Sequence, residues 1–320
     1  MNGEKLAETL KESKPNVKES TIKMYTSNLL KLKKLFETDD FDFLNDISKV
    51  KDKLSHLHFT SQRNYYNSII VLLQALNHDK SKDDLLKEYV SARDDLNKQY
   101  EDENASGVIS EKQKANFVGI EEVVKGIEAM GHELKGFKKR DLTAKEKMLL
   151  QVYIIYQIHI RLPMRNDLSE CEAIMKRTYN TLSESDKKSK NYLVVEKAKM
   201  WFVLNKFKTS AKYEELRFDV PKDLEKLLRS YIKINGMGVL FKSSTGKPLS
   251  RNALSQLLIK YSKKYMDGKS ISTTMMRKIV LSDKFADLKK EQKDMAKITG
   301  HSVATMNKVY VKEGSESKSS

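Results

Sequence analysis

The chain carries a histidine and a tyrosine nine residues apart, in the stretch GHSVATMNKVY that begins at Gly300. The glycine predicts a left-handed turn after a helix over 287–299. A tyrosine hydroxyl, with a pKa of about 10 in water, is a weak nucleophile until nearby groups activate it. Tyr310 is therefore either a nucleophile assisted by His301 or the last apolar residue of a packed helix, and both interpretations remain open at this point.

Two arginines occur where an anion would explain them. The stretch ISTTMMRKIV places Arg277 early on a short, mostly apolar helix, and residues 271–282 contain no acidic side chain. The stretch HIRLPMRNDLSE places Arg165 just after a helix that ends before Pro163. A buried guanidinium needs an anionic partner. For Arg277 that partner has to come from another part of the chain or from a ligand.

A lysine-rich loop lies between two predicted strands. The stretch KFKTSAKYEE predicts a hairpin that exposes Lys206, Lys208 and Lys212 at a β-turn. A lysine that reaches a bound strand can donate a proton to a leaving oxygen. Lysine-rich loops are also common on protein surfaces, so the hairpin alone does not decide between these interpretations.

The order of these features resembles the tyrosine recombinase (phage integrase) family across residues 143–312. The order is an arginine, a hairpin lysine, a second arginine, GHS, and a tyrosine nine residues after the histidine. LPMRNDL and FKTSAKY look closest to recombinases of eukaryotic DNA viruses and related mobile elements. The helical segment before them looks like the core-binding domain of that family. The resemblance therefore covers nearly the whole chain.

The resemblance implies a catalytic role for each matched residue. The two arginines would hold the phosphate, the lysine would protonate the leaving oxygen, and the tyrosine would be the nucleophile. The matched residues are, in chain order, Arg165, Lys208 with Lys206 as its rival, Arg277, His301 and Tyr310.

One position departs from the family pattern. The family often has a histidine three residues before the second arginine, where this chain has Thr274. Threonine can hydrogen-bond a phosphate oxygen but cannot shuttle a proton at neutral pH. More of the proton transfer then rests on His301 and the hairpin lysine. Thr274 is retained as a secondary candidate, together with Lys206.

The implied reaction is site-specific DNA strand cleavage and rejoining by a recombinase or integrase through a 3′-phosphotyrosine link. Such a link conserves the bond energy, so neither ATP nor a metal is expected. None of the six histidines pairs with a second ligand at metal-binding spacing. The GKS at 268–270 lacks the first glycine of a phosphate-binding loop, because Lys263 stands there. We expect no cofactor.

The charge balance points to a polyanionic partner. The chain has 60 lysines and arginines against 44 acidic residues, a net charge of +16. Nucleic acid is the commonest such partner, although a lysine-rich composition can also serve solubility alone. With the resemblance, we expect double-stranded DNA, bound by a homo-oligomer (dimer to tetramer) on paired sites, with an affinity that falls steeply with salt. The DNA-binding candidates are Arg63, Asn64, Lys212, Arg251 and Asn252.

The sequence predicts a soluble, intracellular protein without a membrane partner. Cys171 is the only cysteine, so no internal disulfide can form. The first residues, MNGEKLAETL, show no signal-peptide core, and the most apolar stretch, MLLQVYIIYQIHI, is too short to span a bilayer. We expect the protein wherever its target DNA is, in the nucleus or in the cytoplasm or viral factory of a host cell.

The first hundred residues predict an all-helical bundle. Ile22, Leu29 and Leu32 belong to one apolar helical stripe, with Ser20 or Thr21 as the expected cap. Further helices are expected at 46–57, after a cap at Thr60, and at 82–100. The predicted domains are 1–100 (core-binding, DNA-binding), 101–112 (linker), 113–312 (catalytic) and 313–320 (flexible tail).

The second part predicts mixed structure. Helices are expected at 143–160, over PKDLEKLLRSYIK, and after a cap at Ser250, with strands over NYLVV, MWFVLN and LRFDVP. The helix at 287–299 is expected to bury Leu288, Met295 and Ile298. The predicted fold class is α+β, in which the helical core-binding bundle precedes a mainly helical catalytic domain with a small antiparallel sheet, as in tyrosine recombinases.

Two other functions remain open. A type IB topoisomerase or a telomere-resolving strand transferase would use the same chemistry, and a catalytically inactive DNA-binding relative would fit Thr274.

One prediction concerns assembly. Because VKEGSESKSS has no apolar stripe, any element exchanged between subunits is expected to be the tyrosine helix itself or a segment elsewhere.

Overall fold

The structure, a computed structural model, describes residues 2–77, 79–137 and 142–311. The side chains at 106, 112, 211 and 212 lie outside that description, as does the predicted tail at 313–320. The chain divides into two units between Ile109 and Ser110, within the stretch predicted as a linker. Part of that stretch is helical, because the last helix of the first unit continues to Ser106, before a left-handed Gly107.

Helices build the described part of the N-terminal unit, as the apolar periodicity predicts. Ile22, Leu29 and Leu32 are buried in its core, and the hydroxyl of Tyr89 donates to the carbonyl of Leu44 at 2.9 Å. The helices are α1 (Gly3–Ser13), α2 (Glu19–Leu35), a 3₁₀ turn (Asp42–Asn45), α3 (Ile47–Leu54), α4 (Phe59–Leu76) and α5 (Asp83–Ser106).

Two predicted caps in this unit are wrong. Helix α2 begins before Ser20 and Thr21, and its N-cap is Lys18, which makes no side-chain cap bond. Helix α4 has His58 as its N-cap, and the imidazole Nδ1 accepts from the backbone N–H of Thr60 at 3.3 Å. In both cases the helix starts earlier than the cap-forming residue, so that residue lies in the first turn.

The C-terminal unit packs its helices around α8, which is apolar on most of its circumference. Thr143 caps this helix in a reciprocal capping box with Glu146, and the helix ends shortly before Pro163, as predicted. The helices of this unit are α6 (Glu111–Lys114), α7 (Ile120–Lys135), α8 (Ala144–Arg161), a 3₁₀ turn (Asn166–Leu168), α9 (Lys176–Thr181), α10 (Glu184–Ser189), α11 (Ser210–Tyr213), α12 (Lys222–Asn235), α13 (Arg251–Tyr265), α14 (Thr273–Ile298), α15 (Val303–Thr305) and a π-helical turn (Met306–Tyr310).

The sheet is mixed and five-stranded, so the prediction of an antiparallel sheet is wrong at one pair. The strands are β1 (Cys171–Met175), β2 (Asn191–Val195), β3 (Met200–Leu204), β4 (Leu216–Asp219) and β5 (Gly238–Val239), in the order β4-β3-β2-β1-β5. Strands β1 and β2 are parallel, because α9 and α10 carry the chain back between them. The other pairs are antiparallel. Sequence patterns identified β2, β3 and β4 and missed β1 and β5. The fold is mainly helical α+β.

Two features near the predicted catalytic residues differ from expectation. The hairpin loop between β3 and β4 contains the helical turn α11 where a β-turn was expected. Helix α14 is one continuous helix of 26 residues where two shorter helices were expected. Its C-terminal half does not enter the core, so the predicted burial of Leu288, Met295 and Ile298 is wrong. These three side chains are 55%, 47% and 77% exposed.

Within the described ranges, no helix has the length and apolar character needed to cross a membrane.

Candidate active site

The two arginines are positioned by a 3₁₀ turn and by a helix start in the C-terminal unit. Arg165 precedes the 3₁₀ turn that follows α8 and lies on the surface. Arg277 lies near the start of α14, where Ser272 caps the helix by accepting from the backbone N–H of Met275. Arg277 is half-buried, as expected for an arginine among methionines and isoleucine.

Arg165 and Arg277 lie close enough to interact electrostatically. Burial lowers the pKa of the Arg277 guanidinium, the positive charge of Arg165 lowers it further, and Asp167 opposes the shift. Two guanidinium groups that repel each other in one place form a ready site for an anion with several oxygens. The two arginines that the sequence matched therefore influence each other electrostatically in the structure.

A buried carboxylate interacts with these two arginines and with a third one. Asp167 is only 6% exposed, and its Oδ1 lies 3.2 Å from Nη2 of Arg251. Burial raises the pKa of Asp167, while Arg251, Arg165 and Arg277 pull it down. We refer to Arg165, Arg251 and Arg277 around Asp167 as the arginine cluster. One carboxylate among three arginines leaves an excess of positive charge.

Asn166 connects the helices that carry the cluster. Its side-chain amide donates to the carbonyl of Arg251 at 3.1 Å, and its Oδ1 accepts from the hydroxyl of Thr273. The starts of α13 and α14 are thereby fixed to the 3₁₀ turn that follows Arg165. Thr274, the secondary candidate next in sequence, is exposed, and the threonine that is hydrogen-bonded in this network is Thr273.

Asn191 fixes the beginning of the hairpin loop beside the cluster. Its amide donates to the carbonyls of Asp167 at 2.7 Å and Lys206 at 3.0 Å. Its Oδ1 accepts from the backbone N–H of Lys206 at 2.7 Å. Arg251 adds a third contact by donating to the carbonyl of Lys206 at 3.2 Å. The backbone at Lys206 is therefore held against the arginine cluster.

The hairpin lysines differ in their surroundings. Lys206 lines a cavity of about 390 Å³ together with Lys190, Arg251 and the carboxylates of Asp167, Glu170 and Glu172. Lys208 is exposed. The side chain of Lys212 lies outside the described residues. Lys206, the rival candidate, is thus the lysine that the described contacts tie to the cluster.

His159 is a buried histidine near the cluster. It is fully buried on α8, and its Nδ1 lies 2.8 Å from the carbonyl of Ile155. Its Nε2 is buried and has no partner among the described residues. Burial lowers the pKa of His159 to about 4, and the charge of Arg277 adds to the effect. The imidazole is therefore neutral at pH 7, with Nδ1–H donating to Ile155.

Tyr310 and His301 form a second, separate group. Their rings stack with centroids 5.0 Å apart and planes inclined by 26°. Gly300 has the predicted left-handed φ of 69°, and the backbone N–H of His301 donates to the carbonyl of Ala296 at 2.9 Å. Ser302 caps the following turn, as predicted. Tyr310 is 60% exposed, so it is not a packing residue of its own chain.

The two groups lie at opposite ends of α14. Arg277 is near the start of this helix, and His301 follows directly after its end. At a rise of 1.5 Å per residue, the helix from Arg277 to Ile298 is about 32 Å long. The structure therefore does not bring the five matched side chains together within one chain.

The DNA-binding candidates have different surroundings. Arg63 lies over the ring of Tyr100, with its Cζ 4.2 Å from the centroid. Asn64 and Asn252 are exposed, on α4 and α13. Arg251 belongs to the arginine cluster, and this position suits a contact to a DNA phosphate better than a contact to a base. Among the residues that the structure describes, no three His, Cys, Asp or Glu side chains gather in a way that could hold a metal ion.

Sequence reasoning missed Asp167, His159 and the place of Arg251 in the cluster. The sequence did contain a signal for Asp167. An acidic residue two positions after Arg165 lies in the same turn and can therefore interact with that arginine. His159 was considered only as a metal ligand. No sequence signal links Arg251 to Arg165, because their proximity depends on how α13 packs against the 3₁₀ turn.

Comparisons with known proteins give little further information. No protein-family model matches the chain, and no curated protein matches it. Among solved structures, a crystal structure of XerA recombinase is similar over 98% of this chain and 94% of that one. Its sequence identity is 13% and its TM-score is 0.35, a likeness too low to carry an argument.

Proposed function

We propose that this protein is a site-specific DNA recombinase or integrase that cleaves and rejoins strands through a 3′-phosphotyrosine link to Tyr310. The observation that carries the proposal is the proximity of Arg165 and Arg277, which are far apart in sequence. The excess positive charge of the arginine cluster suits a phosphodiester. The net charge of +16 suits a double-stranded DNA partner.

The cleavage step follows from the chemistry of these groups. The hydroxyl oxygen of Tyr310 attacks phosphorus and gives up its proton to His301. The bond from phosphorus to the 5′ oxygen breaks, and that oxygen takes a proton from a hairpin lysine. Arg165 and Arg277 stabilise the charge on the non-bridging oxygens, and losing one such donor typically costs about 3 kcal/mol in the transition state.

The products determine the second half of the reaction. They are a DNA 3′-phosphotyrosine and a free 5′ hydroxyl. Attack of a 5′ hydroxyl on the phosphotyrosine reverses each bond change, so a strand from a second DNA site can be joined in place of the first. We propose a homo-oligomer on paired sites, because exchange between two duplexes needs a nucleophile on each.

Within the proposal, residues 1–109 contribute DNA contacts through Arg63 and Asn64, and Asn252 and Lys212 add contacts from the second unit. Contacts from lysine and arginine to phosphates release counterions, so the affinity falls as salt rises. Lys206 takes the role of general acid, because its backbone is held at the arginine cluster, and Lys208 is the alternative.

The separation of Tyr310 from the cluster favours a second candidate function, which is DNA binding without strand cleavage. One experiment distinguishes the two. The wild-type protein is incubated with suicide duplexes, which trap a cleaved strand by releasing a short fragment, and the products are run on a denaturing gel. Tyr310→Phe serves as the test variant, and Tyr213→Phe, which alters another exposed tyrosine, is the matched control.

For a recombinase we expect a covalent protein–DNA band with the wild type and with Tyr213→Phe. Tyr310→Phe should give none while it binds the duplex with unchanged affinity. A DNA-binding protein without catalysis would bind and give no covalent band with any variant.

A further inference from the structure

The C-terminal part of α14 and the turns after it form an exposed arm, which we define as residues 281–311. All of these residues are described, and Ala296 is the only buried one among them. Apolar side chains on the arm are open to solvent, among them Leu281 at 40% and Phe285 at 52% exposure. An exposed apolar surface of this kind marks an interface.

The apolar residues of the arm share one face of α14. Leu281, Phe285, Leu288 and Met295 follow at steps of four, three and seven residues, and Gln292 takes the intermediate position. This is the alternating three- and four-residue spacing by which one helix packs along another. The face therefore fits a second helix.

The position of Tyr310 indicates that this second helix belongs to another copy of the chain. The tyrosine and His301 lie at the end of the arm, about 32 Å along α14 from Arg277 of the same chain. In this conformation Tyr310 is therefore remote from the arginine cluster of its own chain. Each half of the site is therefore incomplete in one copy.

We propose that α14 pairs antiparallel with α14 of a second copy, so that Tyr310 of each copy enters the arginine cluster of the other and cleaves in trans. The proposal rests on the proposed function and specifies its assembly. A two-fold axis at Leu288 sets Leu281 of one copy against Met295 of the other, because both lie seven residues from the axis residue. The same axis brings Arg277 level with position 299, two residues before His301.

The charges that border the apolar face fit this pairing. Lys284 and Glu291 lie on the same side of the face, seven residues apart. In an antiparallel pair, side chains on that side face their equivalents from the other helix. Lys284 of each copy is then level with Gln292 of the other, one residue from Glu291, which a long lysine side chain can reach. Because the apolar face is short, we expect DNA to hold the copies together while α14 pairs.

Mixing two inactive variants tests delivery in trans. Arg277→Ala keeps its tyrosine and Tyr310→Phe keeps its arginine cluster, and one of the two carries a size tag. We expect no covalent product from either alone on the suicide duplex. An equal mixture should give about a quarter of the wild-type product, since half the dimers are mixed and each has one complete site. The attached chain should be Arg277→Ala.

Delivery within one chain would give a different result. If the wild type forms the covalent product and the mixture forms none, α14 bends so that Tyr310 reaches its own cluster, which overturns the inference but leaves the proposed function intact. If the wild type forms no covalent product, the proposed function fails and the inference fails with it.

A cross-link tests the pairing geometry independently of activity. Cys171 is the only native cysteine and is buried, so any disulfide between copies must come from an added exposed cysteine. Leu288→Cys should form a disulfide-linked dimer on DNA under mild oxidation, because two cysteines at the axis lie within disulfide distance. Ala286→Cys, on another face, is the control and should remain monomeric. Equal cross-linking of both variants, or of neither, would overturn the pairing.

Discussion

The ring of Tyr310 stacks on the ring of His301, with centroids 5.0 Å apart, at the end of α14 remote from Arg277. The proposed nucleophile and its histidine are therefore neighbours at the end of α14, whichever arginine cluster they serve. A histidine that stays beside the phenol can accept its proton during attack. The stacked pair thus forms one functional half of the proposed site, and the arginine cluster forms the other.

The first prediction concerns the histidine of that pair. His301→Ala should slow covalent product formation by about 10²–10⁴-fold, the usual contribution of a positioned general base, with DNA affinity unchanged. In the mixed assay, the substitution should slow cleavage when it shares a chain with Tyr310 and should have no effect in the Tyr310→Phe chain. The reverse pattern would mean that the histidine of the other copy acts on the tyrosine.

The second prediction concerns the half-buried arginine. Arg277→Lys keeps the positive charge and loses the paired donors that grip two phosphate oxygens. Cleavage should slow by about 10²–10³-fold, which corresponds to about 3 kcal/mol, while DNA affinity stays within twofold. The matched control is Lys278→Ala, which alters the adjacent exposed side chain. Equal losses in the two variants would argue against a specific phosphate contact at Arg277.

The sequence predicted the residues of this cluster better than their arrangement. Arg277 was identified because it lacks a local acidic partner in an apolar setting, and Arg165 by its place after the helix that ends before Pro163. Their neighbour Asp167 was missed, although it lies two residues from Arg165. Its burial depends on α13 and on Asn191, which no local pattern links to it.

There is a physical reason why the course of α14 could not be predicted from the sequence. Apolar residues at helical spacing look the same whether they pack on their own core or on another chain. Leu288 and Met295 were therefore assigned to the core, and the structure leaves them exposed. Likewise, the parallel pairing of β1 with β2 follows from the crossover through α9 and α10, which strand patterns do not encode.

The third prediction identifies the general acid. Lys206→Ala should slow cleavage of an ordinary suicide duplex by about 10²-fold or more. A duplex with sulfur in place of the bridging 5′ oxygen should restore the rate, because a thiolate leaves without a proton. Lys208→Ala is the matched control, two residues along the same hairpin, and should show neither effect. Rescue of Lys208→Ala instead would assign the acid to Lys208.

The fourth prediction is a pH dependence of stability. Burial lowers the pKa of His159 to about 4, from an ordinary value of 6.5. Between those pH values the unfolded chain binds a proton that the folded chain does not, so stability falls as pH falls from 6.5 to 4. The loss should reach about 3 kcal/mol.

His159→Gln isolates that contribution, because an amide does not gain a proton in this range. Urea unfolding at pH 7, 6, 5 and 4 should show a shallower loss of unfolding free energy for the variant than for the wild type. Parallel curves for the two proteins would mean that other groups cause the acid sensitivity.

The central claim is that Tyr310 becomes covalently bound to DNA, and mass spectrometry of the trapped complex tests it most directly. After nuclease and trypsin digestion, the wild-type adduct should yield the peptide VYVK, residues 309–312, carrying a nucleotide 3′-phosphate on the tyrosine. A nucleotide on any other residue, or the absence of an adduct from protein that binds the duplex, would contradict the account.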